Sequence, residues 1–480
     1  MANERLYIKV ILPKQGEEKR VPAGGGEPRP FKDVTPALRH SLLLQLGTIE
    51  ATLKSIPLPA RVVPARVTLE EKAIAKSHRP DVLFNKATCP IIGAGKPGEL
   101  FVKATPRGLR ALQFRIEGGF APQVKKAIST LHNISPISTS DRLSGVKPSE
   151  LFNAAPAKGG RRLLKVHLFD FGDRDDQDVQ INGFEDLLAG ERIQFERLQK
   201  FGKQYTYLVR CQTSDDVSVL ANAVMVRRVD RLPVFRTLRN MHLNPRPLPA
   251  SLCRIGRDPG QYPIVGVVDS GVTRDLPALQ DWVHAREPFV ADAESNTAHG
   301  TFVAGLLVWG HELNSSLTEV GAHPCRVLDV HVLPNSDPSR GPVGFINELE
   351  LLQALEDCLQ RYANDVKVWN LSLGSDEICR LDRFSDFAVA LDNLQEEYGV
   401  TFVIAAGNYE EHPLLQYPRS DIAKESGRIT SPADSVLGVT VASVAQLDHP
   451  SDGSKRGEPS PFSRNGPGPN YVIKPDLAHF

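Results

Sequence analysis

The chain has 480 residues, 41% of them hydrophobic and 24% charged, which is the balance of a globular protein with two or three domains and sizeable cores. No apolar run is long enough for a helical membrane span, and Met1–Val10 lacks the apolar centre of a signal peptide. The formal charge is zero, yet residues 1–250 carry 40 Lys+Arg against 25 Asp+Glu, and residues 251–480 carry 17 against 32. The basic residues are dispersed, without aromatic interleaving or a nucleic-acid motif. That argues against nucleic acid and for a basic half that faces its own acidic neighbour. The six cysteines (Cys89, Cys211, Cys253, Cys325, Cys358, Cys379) show no CxxC pairing. Buried thiols in a reducing, cytoplasmic setting are expected, rather than disulfides or zinc.

In chain order, Leu6–Leu12 reads as a strand and the charged, GGG-containing stretch up to Pro30 as a loop. Leu38, Leu42, Leu46, Ile49 and Leu53 repeat at helical spacing across Pro36–Lys54. An extended segment follows around Val62, Val63 and Val67. Thr68–Glu71 has the spacing of a capping box before Ala73–Ser77. Ile91–Gly95 is a glycine turn lacking the Lys-Ser/Thr of a phosphate loop. Leu100–Ala104 and Leu112–Ile116 read as strands, so residues 1–150 form an α+β region without a motif of its own. Residues 160–240 alternate strand (Leu163–Phe171), helix (around Phe184–Leu188), strand (Tyr205–Cys211), helix (Val217–Val224) and a last strand from Val224. This β-α-β-α-β order suits a small ferredoxin-like unit, and the acidic run Asp170–Asp178 reads as a solvated loop. Leu238–Pro249 holds three prolines in twelve residues and marks a linker over 241–260.

Residues 261–480 alternate differently. Tyr262–Val268 is a near-continuous apolar run that reads as a buried strand, and Asp269 ends it where the chain turns out of the sheet. Thirty residues on, His299 and Gly300 open an apolar helix, Thr301–Val308. Then come a strand at Arg326–Leu333, a helix at Pro342–Tyr362 and a strand at Val366–Leu371. A helix at Phe384–Tyr398 and strands at Thr401–Ala405 and Val436–Val441 complete the series. In the helix at Pro342–Tyr362, Ile346, Leu349, Leu352, Leu355 and Leu359 face inward, leaving Glu348, Glu350 and Asp357 to solvent. Strands separated by helices of this length imply a mostly parallel sheet with helices on both faces, an α/β fold. In such sheets, sites form at the carboxyl ends of strands. An Asp and a His placed there can do acid–base work once a nucleophile joins them, although each alone is ordinarily a turn or surface residue.

The strings VVDSGV (Val267–Val272) and HGTFVAG (His299–Gly305) resemble, in this order, the Asp and His motifs of the subtilisin-like serine proteases, the subtilases. NLSLG (Asn370–Gly374) resembles the family segment that pairs with an extended substrate through Ser372, Leu373 and Gly374. AAGN (Ala405–Asn408) resembles the oxyanion-hole string, with Asn408 as donor. Thr430–Ala433 more faintly resembles the lining of the primary pocket, through Ser431, Pro432 and Ala433. The resemblance implies hydrolysis of a peptide or protein substrate, with Asp269 orienting His299. It also implies that residues 160–240 are built like a subtilase propeptide, a unit that covers the active site and assists folding.

The family's nucleophile lies in a Gly-Thr-Ser string, and no such string occurs in these residues. Pro461–Pro467 and Ile473–Ala478 resemble the approach to it, so the expectation is a peptidase domain incomplete at its C-terminal end and inactive as given. A groove-binding protein without catalysis is the alternative. Subtilases commonly hold calcium, but no ligands for it can be assigned, and no other cofactor is indicated. Ala75–Gly93 faintly resembles amino-terminal regions of bacterial signal-less subtilases thought to work beside an ATPase.

Overall fold

The computed structural model describes residues 30–55, 62–198, 205–237, 258–313, 323–417, 425–450 and 452–479. The expected strand at Leu6–Leu12 and most of the 241–260 linker lie outside them. Two compact units divide between Pro136 and Ile137.

The first unit has helix α1 (Pro36–Ser55), β1 (Val63–Leu69), β2 (Ile91–Ala94), β3 (Glu99–Ala104), α2 (Pro106–Gly118), α3 (Pro122–Ser129) and β4 (Leu131–Pro136). Its strands form an antiparallel sheet in the order β2-β3-β1-β4. The inward stripe Leu42, Leu46, Ile49 and Leu53 packs on Val63, Ala65 and Val67, as the spacing predicts. Leu112–Ile116 is not a strand. The Thr105 side chain accepts the Gly108 N–H, Pro106 sits at the first helical position, and Leu109, Leu112 and Ile116 form a helical stripe. Thr68–Glu71 forms no capping box; only two single 3-10 turns follow it, neither with a side-chain cap.

The second unit begins with the short helices α4 (Thr139–Arg142) and α5 (Pro148–Ala154) and the two-residue strand β5 (Ala157–Lys158). Its small sheet then runs β6 (Arg161–Leu168), α6 (Arg174–Gly190), β7 (Gln194–Leu198), β8 (Thr206–Cys211), α7 (Ser214–Asn222) and β9 (Val226–Arg231). β6 lies between β8 and β9, β7 flanks β8, and all these pairs are antiparallel, which gives the βαββαβ ferredoxin-like arrangement. Asp170–Asp178 is not a free loop: Asp173 caps α6 by accepting the Asp176 N–H, and Asp175 and Asp176 occupy its first turn.

After β9 comes β10 (Val234–Thr237), and then the large sheet: β11 (Ile264–Asp269), β12 (Val283–Pro288), β13 (Arg326–His331), β15 (Val368–Leu371), β17 (Thr401–Ala405), β18 (Val439–Ser443) and β19 (Leu477–His479). Its order is β12-β13-β11-β15-β17-β18-β19, parallel throughout. Between these strands lie α8 (Pro277–Gln280), α9 (Ala298–Leu313), β14 (Ile346–Asn347), α10 (Glu348–Tyr362), β16 (Leu373–Ser375) and α11 (Asp386–Tyr398). One face of the sheet, with Val268, Leu328, Trp369 and Phe402, is buried under α10 and α11. On the opposite face α9 covers β11 and β13, where Val267 and Val327 meet Val303, Ala304 and Val308. Farther along that face Val368 stands 40% exposed, and Val403, Ala405, Val439 and Val441 are half-buried.

Gly266 shows how tightly the covered face is built. A Cβ there would meet the Trp369 ring at 2.5 Å, and that ring is fully buried. Gly266→Ala is therefore expected to cost about 1–3 kcal/mol through overpacking, read as a lower urea midpoint. An unchanged midpoint would mean that the ring has room to move.

Candidate active site

Asp269 is the last residue of β11, and its side chain is fully buried. Its main-chain oxygen accepts the N–H groups of Val332 (2.9 Å) and Leu333 (3.1 Å), and Oδ1 accepts the Ser270 N–H at 2.6 Å. The carboxylate is thus fixed before it meets any partner. Gly271 then turns the chain at φ +84, a conformation that suits glycine. Gly300 packs so closely on this turn that a Cβ would sit 2.4 Å from the Gly271 oxygen. The Gly300 N–H also donates to Ser270 Oγ at 3.1 Å. Two glycines and one serine therefore seat the first turn of α9 against the end of β11, and His299 arrives on that turn.

His299 Nδ1 lies 2.8 Å from Asp269 Oδ1 and 2.9 Å from Oδ2. Its side chain is 13% exposed. Burial pulls its pKa down, but the hydrogen bond and charge of Asp269 outweigh that and hold it above the usual histidine value. With Nδ1 engaged by the carboxylate, Nε2 is left to exchange a proton.

Across a cavity of about 310 Å³ the imidazole faces Asn408, with Asn370, Ser372 and Ala405 as floor and Phe302 and Leu306 of α9 as wall. Asn408 follows Gly407, whose φ is +100 and where a Cβ would strike Thr430 Oγ1 at 2.6 Å. The loop is clamped from outside: Arg464 Nε donates to the Asn408 oxygen at 2.8 Å, and the Tyr409 N–H donates to Phe462 O at 2.7 Å. The structure thus brings Asp269, His299, Ser372 and Asn408 to one site. Ser431, Pro432 and Ala433 are buried and do not line this cavity; the Ser431 hydroxyl donates to Ser385 Oγ at 2.9 Å.

Leu373 and Gly374 lie in β16, whose edge is already occupied. β10 runs antiparallel between β14 and β16, pairing Phe235 with Ser375, Arg236 with Gly374 and Thr237 with Leu373. Phe235 is fully buried, its ring 4.8 Å from that of Phe387. Sequence reasoning missed this four-residue strand, which is too short for a periodic signal. It also missed the wall residues Phe302 and Leu306, 41% and 43% exposed on a helix expected to be core.

No hydroxyl among the described residues bonds His299. Ser372 Oγ donates to Asn370 Oδ1 at 2.8 Å, Ser270 Oγ is taken by Gly300, and Ser463 Oγ accepts the Ser443 N–H. No group of three or more His, Cys, Asp or Glu side chains among the described residues is arranged to hold a metal.

Residues 260–479 match the model of the subtilase family, peptidase S8. An uncharacterized protein of Sinorhizobium fredii, y4bN, is 35% identical over 108 residues, covering 19% of this chain and 25% of its own length. The match therefore spans about a quarter of that relative. Among solved structures, a cold-adapted subtilisin-like serine proteinase is 23% identical with a TM-score of 0.30, covering 46% of this chain and 64% of that one. An alanine mutant of the epidermin leader peptide processing serine protease of Staphylococcus aureus is 14% identical with a TM-score of 0.36, covering 66% and 75%.

Proposed function

Residues 260–479 match the subtilase family, and from that premise we propose that the protein is a serine endopeptidase acting through Asp269 and His299, with a nucleophilic serine that none of the described serines supplies. The observation that carries this reading is the Asp269–His299 pair, closed at 2.8 Å and facing Asn408 across an open cavity. The cavity has an apolar wall, and the sheet face next to it is uncovered among the described residues. A helix bearing a serine would cover that face and present its hydroxyl to His299 Nε2.

In the reaction, His299 takes the serine proton as Oγ attacks the peptide carbonyl, and returns it to the amine as the C–N bond breaks. Asp269 keeps the proton on Nδ1 and stabilises the imidazolium. The Asn408 amide donates to the carbonyl oxygen as it becomes negative. Water then attacks the acyl-enzyme with His299 again as base, and the serine is regenerated.

In the same reading, β10 holds the place of an extended substrate on β16, so the small sheet domain serves as a resident occupant of the groove. Pairing through the main chain supplies the hold, and the buried Phe235 supplies the anchor.

The test is hydrolysis of an unfolded protein by the native full-length protein, with Asn408→Ala beside it. Loss of one oxyanion donor is expected to lower kcat by about 10²–10³-fold with KM little changed. Absence of hydrolysis by the native full-length protein, with the groove still binding peptide, would leave a binding protein in place of a peptidase.

A further inference from the structure

The small sheet turns a charged face inward. Lys165 and His167 on β6 share that face with Arg228 and Asp230 on β9, and the first residues of α10 and α11, Glu348 and Asp386, meet it. Lys165 Nζ lies 2.6 Å from Glu348 Oε1 and 2.7 Å from Asp386 Oδ2, with Lys165 2% and Glu348 0% exposed. Arg228 pairs with Asp230 and reaches Asp386 at 3.3 Å. Arg383, before α11, approaches Asp230 at 3.6 Å. Arg227 on β9 is in the field of Asp386 and Asp382, and Arg380 pairs with Asp382 at the rim.

His167 does not add a charge. Arg228 Nη2 lies 2.8 Å from its Nε2, and its Nδ1 is 3.1 Å from Thr206 Oγ1. The same Nε2 lies 3.2 Å from Asp386 Oδ2, whose charge favours a proton there, while the Arg228 guanidinium, which can only donate, opposes it. Burial and the Arg228 charge outweigh Asp386 and push its pKa down to about 4, so the ring adds no charge near neutral pH.

The arginines gather on the Asp230 and Asp382 side. At the other side Lys165 lies between Glu348 and Asp386, shares Asp386 with Arg228, and with Arg228 feels the charge of Glu377, on the turn after β16. Glu348 Oε2 and Glu377 Oε2 are both buried without a hydrogen-bond partner among the described residues. A buried carboxylate oxygen with no donor is costly when ionised and tolerable when its group is protonated.

We propose that docking of the small sheet domain on the peptidase domain takes up a proton at Glu348 and Glu377, so that rising pH, and not acid, releases the strand that occupies β16. The mechanical link is short: β9 ends at Arg231, β10 begins at Val234, and only Leu232 and Pro233 lie between. This inference rests on the reading of β10 as the groove's occupant. Burial pushes Glu348 up to about 7 and Glu377 up to about 8, against the pull of Lys165. Once undocked, both side chains meet water and return to the ordinary carboxylate range. Groups whose pKa is raised on docking favour the docked state at low pH and lose that contribution as pH climbs through the raised values. His167 has the opposite sign and weakens docking only as pH falls from the ordinary histidine value toward about 4.

The experiment is hydrogen–deuterium exchange of the full chain between about pH 6 and 9.5, corrected for intrinsic exchange, read at 234–237 and 373–375. The opening equilibrium is expected to rise from about pH 6 to about pH 8, by about tenfold per pH unit for each proton released, and to level off above about pH 8, where both carboxyls are ionised in the docked state as well. The double variant Glu348→Gln, Glu377→Gln should flatten that slope. An opening that is independent of pH, or that grows on acidification alone, overturns the proposal, and so does an unchanged slope in the double variant. If the variant does not fold, the wild-type slope decides. A fluorescent peptide of sequence VFRT separates the two readings. Exchange that rises with pH while the peptide fails to bind sinks the groove-occupant reading and leaves proton-coupled docking standing. Binding that is equal at every pH sinks the coupling and leaves the occupant reading.

Discussion

His299→Ala, in the protein that carries the serine, is expected to lower kcat/KM for peptide hydrolysis by about 10⁴-fold or more, with protein stability reduced far less. The asymmetry follows from where the ring sits. His299 is on the first turn of α9 at the edge of a cavity, so its removal leaves the core beneath α9 in place. Its one hydrogen-bond partner among the described residues is Asp269, and that carboxylate keeps its Ser270 N–H donor. Without the imidazole no group within reach can take the serine proton, and what remains is oxyanion stabilisation and binding. Steady-state kinetics beside a urea titration measures both quantities. A loss of activity below about tenfold would show that the Asp269–His299 pair is structural.

Lys165→Met should have the largest effect on the hold of the small sheet. The ammonium is the shared partner of Glu348 and Asp386 at 2.6 and 2.7 Å, in a site closed to solvent. Its removal leaves carboxylates buried without their cation, a change that costs about 3–5 kcal/mol in comparable settings. The Lys158–Glu350 pair nearby is exposed, and breaking it is expected to cost under about 1 kcal/mol. Urea denaturation of the two variants side by side makes the comparison. Equal costs would mean that the buried lysine is no more important than a surface one. Partial recovery on adding Glu348→Leu would show that the penalty lies in the stranded carboxylate and not in lost packing.

The contrast between these positions explains what the sequence could reveal. Asp269 and His299 were legible because each sits at an abrupt change of pattern, an apolar run ending in Asp-Ser-Gly and an apolar helix opening with His-Gly. Those changes are where strand and helix ends must lie. The parallel sheet followed from the same alternation, which found five of its seven strands; the edge strands β12 and β19 were not foreseen. Glu348 was read as solvated, yet it is fully buried. Along LLKVHL, Leu164, Val166 and Leu168 face the small domain's own core, so Lys165 and His167 occupy what period-2 reasoning assigns to water. A polar face that meets a second polar face looks, in one dimension, like a solvated one. Only docking distinguishes the two.

The same limit explains the helix at Leu112–Ile116, where a short apolar run fits either period and the cap at Thr105 decides. It explains β10 as well. Val234–Thr237 owes its strand to β14 and β16 on either side, and none of its four residues announces that.

The most direct test of the peptidase reading is labelling of the native, full-length protein with a fluorophosphonate, followed by mapping of the modified residue. The expected result is one labelled serine, in a Gly-Thr-Ser string and distinct from Ser270, Ser372 and Ser463, with labelling abolished by His299→Ala. No label, or a label on Ser270, Ser372 or Ser463, would contradict it.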